Sequence, residues 1–153
     1  DLIIISDADE IPNPKIFDKL DFKKFALLRQ KEFIYKLNLS TNFNWIGSGI
    51  CYKKFLKSPQ WLRNKRFTRR GFFRRIFFKT KILEEGGWHF SYLKTPDDIS
   101  KKLKAYAHSE FAVFADANLI KKNIENKTFF IDQEKKLEVV PIDDSYPEYI
   151  KKK

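Results

Sequence analysis

Residues Ser6-Asp7-Ala8-Asp9-Glu10 put three carboxylates within four positions, directly after the apolar run Leu2 to Ile5. A short β-branched run of that kind reads as a buried strand. Side chains on an extended chain alternate, so Asp7 and Asp9 should point one way and Ala8 the other. Two carboxylates so placed repel one another unless a positive charge sits between them. A hard divalent cation, Mg²⁺ or Mn²⁺, suits oxygen ligands of this type. The plainer reading is a solvated acidic loop or the cap of a following helix. Asn13-Pro14 already supplies a cap and a first-turn proline for a helix from about Pro14 to Leu20. The expectation is therefore a metal site on Asp7 and Asp9, at the carboxyl end of an α/β strand.

Other stretches carry groups that could join such chemistry. Lys81 to Leu93 reads as a strand broken by Gly86-Gly87, with Trp88, Phe90 and Tyr92 on one face and His89 and Ser91 on the other. A lone histidine in a strand is more often structural than a ligand. Thr95-Pro96-Asp97-Asp98 starts a helix: a threonine cap, a first-turn proline and acids in the first turn. Its stripe is Ile99, Leu103, Tyr106 and Ala107; at about 100° per residue Glu110 returns near Ile99, and His108 lies opposite. An inward carboxylate is costly unless paired or used, which draws attention to Glu110. Residues 63–79 hold eight basic residues, five phenylalanines and no acid. They read either as an anion clamp, arginines on phosphates and rings for stacking, or as a solvated basic loop pinned by its rings.

The remaining elements must position these groups. Phe25 to Leu39 reads as a strand in its second half, where Phe33, Tyr35, Leu37 and Leu39 alternate. Ser40 to Asn44 reads as a turn and Trp45 to Tyr52 as a strand, with Gly47 and Gly49 marking a close approach of backbone or ligand. Ser58-Pro59 starts a short helix over Gln60 to Asn64. A helix over 116–126 and a short strand over 136–140 precede a loop at 141–147 and a basic end.

The chain has 153 residues, 42% of them hydrophobic, enough to bury the core of one domain. Sixteen Phe and no Met predict a core built on rings. A net charge of +11 favours anionic partners: nucleotide diphosphates, nucleic acid or an anionic membrane surface met peripherally. Cys51 is the only cysteine, which excludes an internal disulfide framework and a cysteine zinc cluster. With no apolar run of spanning length and no signal-peptide pattern, a cytoplasmic, membrane-peripheral location is the expectation. Because the sequence opens on Asp1 immediately before a strand, it reads as the carboxyl-terminal part of something longer. No internal repeat, linker or domain boundary is visible.

IIISDADEIPNP at 3–14, GGWHFSYL at 86–93, PDDISKKLKAYAHSEF at 96–111 and VVPIDDSYPEYI at 139–150 together resemble glycosyltransferase family 17, the β-1,4-N-acetylglucosaminyltransferase family, in its short bacterial-type members. The resemblance covers nearly the whole chain. It implies a GT-A-like α/β fold in which Asp7 and Asp9 are the DxD motif and His89 or His108 completes the metal site with Mn²⁺ or Mg²⁺. It also implies an upstream half holding most of the nucleoside pocket, so that the fold here is incomplete. The reaction implied is inverting transfer of N-acetylglucosamine from UDP-GlcNAc to a glycan acceptor hydroxyl. Donor-binding candidates are Arg69, Arg70, Arg74, Arg75 and Trp88. A metal held on the DxD would neutralise charge on the leaving diphosphate, and a carboxylate base must take the acceptor proton. Glu10, Glu110 and Asp98 are the candidates for that base, with Glu110 preferred for its inward placement. Two rival readings remain. A haloacid-dehalogenase-type phosphotransferase also opens on a strand and DxD, but its second acidic motif is missing downstream. A nucleic-acid-binding module built on 63–79 would show steep salt dependence and no need of metal.

Overall fold

A computed structural model describes residues 1–66, 80–105 and 113–152. The strands are β1 (Leu2–Ile5), β2 (Glu10–Pro12), β3 (Phe25–Ile34), β4 (Leu39–Tyr52), β5 (Lys81–Ser91) and β6 (Glu138–Val139). The helices are α1 (Pro59–Arg63), α2 (Pro96–Ala105), α3 (Ala117–Asn126) and α4 (Glu148–Lys151). This is a mixed α/β protein with one six-stranded sheet, in the order β1-β4-β3-β5-β2 with β6 added on β4. The pairings β1 on β4, β2 on β5 and β6 on β4 are antiparallel. Among the described residues no helix is long and apolar enough to cross a membrane.

The described chain packs as two compact units, one of residues 1–32 and 44–89 and the other of residues 33–43 and 90–153. Each draws on separate stretches of sequence, so no single cut along the chain parts them and no linker marks a boundary. The first unit is centred on Ile16, Ala26, Leu28, Ile50 and Leu83. Its core is largely aliphatic. The expected ring core belongs to the second unit, where Phe33 stacks on Phe90 at 5.2 Å and Phe130 meets Tyr92, Phe114 and Phe129. There α2 and α3 pack together through Ile99, Leu103 and Ile120.

Caps fall where the sequence puts them. Asn13 Oδ1 accepts from Lys15 N, although the turn it starts, Pro14–Lys19, is a 3₁₀ helix. Ser58 caps α1 and Asp116 caps α3. Three strand readings need correction. β3 already begins at Phe25 and ends at Ile34, because Tyr35 takes a φ of 65° and Lys36 N bonds back to Ile34 O. Residues 40–44 lie inside β4: Asn42, at φ 56°, absorbs the irregularity with Ser40 and Thr41 hydroxyls accepting from nearby amides. β1 is half-buried and terminal in the sheet order, since β4 and β3 take the interior places.

Gly86-Gly87 does not break β5, which runs unbroken from Lys81 to Ser91. The glycines instead admit neighbouring backbone. A Cβ on Gly86 would stand 2.9 Å from the Cα of Leu28, and one on Gly87 2.1 Å from the Ile11 carbonyl oxygen. Gly87 also has a φ of +135°, open only to glycine in practice. Its partner in the ladder is Pro12, so this glycine seats β2, and Glu10 with it, on β5.

β1 and β2 stand at opposite ends of the sheet order, yet only residues 6–9 join them. Four interstrand steps of a flat sheet span about 19 Å. Five Cα steps reach at most about 17 Å, and a turn within them uses part of that. The sheet of the first unit must therefore curl. Gly87→Ala should cost at least about 2 kcal/mol, combining left-side backbone strain with the clash on Ile11. Urea unfolding measures it, and a loss below about 0.5 kcal/mol would mean that β2 is not seated through this glycine.

Candidate active site

The acidic loop is a turn rather than an extension of β1. Glu10 N donates to Asp7 O at 3.1 Å, closing a four-residue turn over Ala8 and Asp9. Strand alternation therefore ends at Ser6, and Asp7 and Asp9 engage different partners. Asp7 receives two guanidiniums, Arg63 Nη2 on Oδ1 at 2.7 Å and Arg66 Nη2 on Oδ2 at 3.1 Å. The positive charge demanded beside these carboxylates is supplied here by arginine.

Glu10 is buried, its side chain only 1% exposed. Its Oε1 accepts from Trp45 Nε1 at 2.8 Å and from Arg66 Nη1 at 3.3 Å. Its Oε2 accepts from Ser48 Oγ at 3.0 Å and from Asp7 N at 3.1 Å. Ser48 Oγ in turn meets Gln30 Nε2 at 3.2 Å and Ser6 Oγ at 2.7 Å. This network leaves no room beside it: a Cβ on Gly47 would stand 2.6 Å from Glu10 Oε1 and 2.1 Å from Gln30 Oε1. The close approach expected of Gly47 is thus to a buried carboxylate.

Glu10 and His89 are ladder partners across β2 and β5, which brings the neighbouring Asp9 over the imidazole. His89 Nε2 lies 3.6 Å from Asp9 Oδ2, and Nδ1 lies 3.4 Å from Glu32 Oε1. The ring is 7% exposed and stacks on Trp45, centroids 4.5 Å apart at 20°. Arg66 lies over the same indole, 5.9 Å from its centre. Asp9 is the more open of the pair, with 35% of its side chain exposed. A strand-end acidic turn, a histidine on a neighbouring strand and two inward arginines thus meet in the first unit.

The sequence model of glycosyltransferase family 17 matches residues 1–153, the full length of the chain. The chain belongs to glycosyltransferase family 17. No curated protein and no solved structure matches it significantly.

Among the described residues, the spacing of two ligands on one divalent cation occurs on both sides of His89, with Asp9 the more exposed partner. Two ligands each about 2.1 Å from one ion stand roughly 3.0–3.6 Å apart, which is the separation of Asp9 Oδ2 and His89 Nε2. Asp7 is committed to its arginines, and among the described residues no group of three His, Cys, Asp or Glu side chains could hold an ion. Among the described residues, Asp9 and His89 are two candidate ligands, to which water or substrate oxygens would have to be added.

Other site residues read from the sequence have different tasks. Glu10 has both oxygens taken by four donors, and acting as a base would forfeit them. Asp98 sits in the first turn of α2, where its carboxylate accepts from Thr95 Oγ1 at 2.9 Å and its amide donates to the same hydroxyl at 3.3 Å. Trp88 is 7% exposed and pairs with Ile11 in the ladder, giving a donor no open ring face. Arg69, Arg70, Arg74, Arg75, His108 and Glu110 lie outside the described residues.

Trp45, Ser48, Glu32 and Arg66 were not singled out by sequence. A signal existed for Glu32: Arg29, Gln30, Lys31 and Glu32 interrupt an otherwise apolar strand, and Gln30 is fully buried. Polar residues inside a buried strand need partners. Arg66→Met should strand the buried Glu10 carboxylate and cost about 3 kcal/mol or more in urea unfolding. Adding Glu10→Gln should recover part of the loss. A cost below about 1 kcal/mol would show that the guanidinium is not what keeps Glu10 buried.

Proposed function

We propose that this chain carries the metal-binding part of a GT-A-like, inverting glycosyltransferase that moves N-acetylglucosamine from UDP-GlcNAc to a hydroxyl of a glycan acceptor. The observation that carries this reading is the approach of Asp9 and His89 to 3.6 Å beside a carboxylate holding two arginines. Asp9 and His89 would hold Mn²⁺ or Mg²⁺. Such a cation would supply positive charge to offset the charge developing on the leaving diphosphate. Arg63 and Arg66 sit next to that place and offer guanidinium forks, the geometry that matches phosphate oxygens. Arg63 is the freer of the two, 46% exposed against 13% for Arg66. It is the residue proposed to turn from Asp7 to the donor, while Arg66 stays bound by Glu10. Arg69, Arg70, Arg74 and Arg75 continue the same basic stretch and are proposed to extend the phosphate contact.

Inversion at the sugar carbon needs a carboxylate on the acceptor hydroxyl. Glu10 and Asp98 have their oxygens engaged in a buried network and a helix cap. That leaves Glu110 as the proposed base; it lies outside the described residues, and its assignment rests on its sequence spacing from Ile99. Asp9→Asn and His89→Gln, made in the protein at its natural length, should each lower transfer at least about 10²-fold with the circular dichroism spectrum unchanged. Arg63→Gln should weaken UDP-GlcNAc binding in calorimetry and leave acceptor binding alone. Near-normal turnover of Asp9→Asn with Mn²⁺ would overturn the assignment.

A further inference from the structure

We propose that Glu32 is a positioning residue that fixes the tautomer and ring orientation of His89, so that Nε2 is presented to the cation shared with Asp9. This rests on the reading of Asp9 and His89 as a metal-binding pair. Histidine binds a metal through a nitrogen without a proton, so the proton of a neutral ring must reside on the other nitrogen. Metal-binding histidines commonly give that proton to a carboxylate or carbonyl, which orients the ring and raises its basicity. In this chain the two ring nitrogens face different carboxylates: Nε2 faces Asp9 Oδ2 at 3.6 Å and Nδ1 faces Glu32 Oε1 at 3.4 Å. Asp9 lies on an exposed turn, whereas Glu32 projects from β3 with 18% of its side chain exposed.

The asymmetry assigns the roles. The more open carboxylate can share an ion with substrate oxygens, and the more enclosed one faces the other ring nitrogen. Nδ1 is buried and makes no hydrogen bond in its present placement. Here the acceptor stands a few tenths of an ångström beyond bonding range, a gap that ligand binding closes in sites of this kind. Trp45 restricts the response: with the indole stacked at 4.5 Å, the imidazole can slide towards Glu32 in its own plane but cannot tilt freely. Glu10, the ladder partner of His89, is saturated by four donors and does not compete for Nδ1.

The test compares wild type with Glu32→Gln and Glu32→Leu, reading Mn²⁺ affinity by calorimetry and the His89 tautomer by long-range ¹⁵N–¹H correlation in metal-free protein. Wild type should carry its proton on Nδ1. Glu32→Leu should weaken Mn²⁺ binding by about 10- to 100-fold and move the proton towards Nε2. Glu32→Gln keeps an acceptor oxygen and should restore most of both. If Glu32→Leu does not fold, Glu32→Asp, one methylene short of the ring, should give an intermediate loss in both readings. An unchanged tautomer and affinity in Glu32→Leu or Glu32→Asp would overturn the proposal. So would a wild-type ring protonated on both nitrogens, since that is an ion pair between two carboxylates and no ligand. If wild type binds no Mn²⁺, the cation reading fails by itself, and the tautomer comparison still decides whether Glu32 sets the ring.

Discussion

The structure of the acidic turn depends on one buried charge. Glu10 has 1% of its side chain exposed, and withdrawing a carboxylate from water costs several kcal/mol unless donors replace the water. The four donors found for it come from three places along the chain: the Asp7 amide in the turn, Trp45 and Ser48 on β4, and Arg66 beyond α1. The turn, the strand and the basic segment must therefore arrive together. Gly47 matters for the same reason, since a methyl group there would occupy the space that Glu10 and Gln30 need.

This constraint changes how the basic stretch is understood. By composition, residues 63–79 read as an outward anion clamp or a solvated loop. In the described portion, Arg63 and Arg66 turn inward to carboxylates of their own chain. On the proposed reading, such pairing would hold them in register beside the donor's phosphates, with part of their ordering cost already met. The surplus of positive charge in the chain as a whole would then act as steering, while the local arrangement would decide contact.

Much of this was legible and some was not, for identifiable reasons. The caps at Asn13, Ser58 and Asp116 follow from local chemistry and stand where the residues predict. The acidic run after β1 marked the site, because three carboxylates in four residues need partners whatever the fold. The direction of Asp7 was not legible. Strand alternation applies only while the chain stays extended, and the Asp7–Glu10 turn ends it. Tyr35 illustrates the same limit: a left-handed φ at a tyrosine is imposed by tertiary packing and has no sequence signature comparable to glycine. Glu32 and Arg66 were hidden because ion pairing across the fold depends on strand order, which β1 and β2 set by standing at opposite ends of a sheet that curls.

The ion pairs around His89 differ in one further way. Asp7 is shared by Arg63 and Arg66, and Arg66 also serves Glu10, whereas Asp9 faces the ring itself. On the proposed reading, a diphosphate that drew Arg63 away would expose Asp7 as a negative group. A cation beside Asp9 would offset it. Donor and cation would then favour one another's binding, a reciprocity that follows from linkage alone, whichever of the two arrives first.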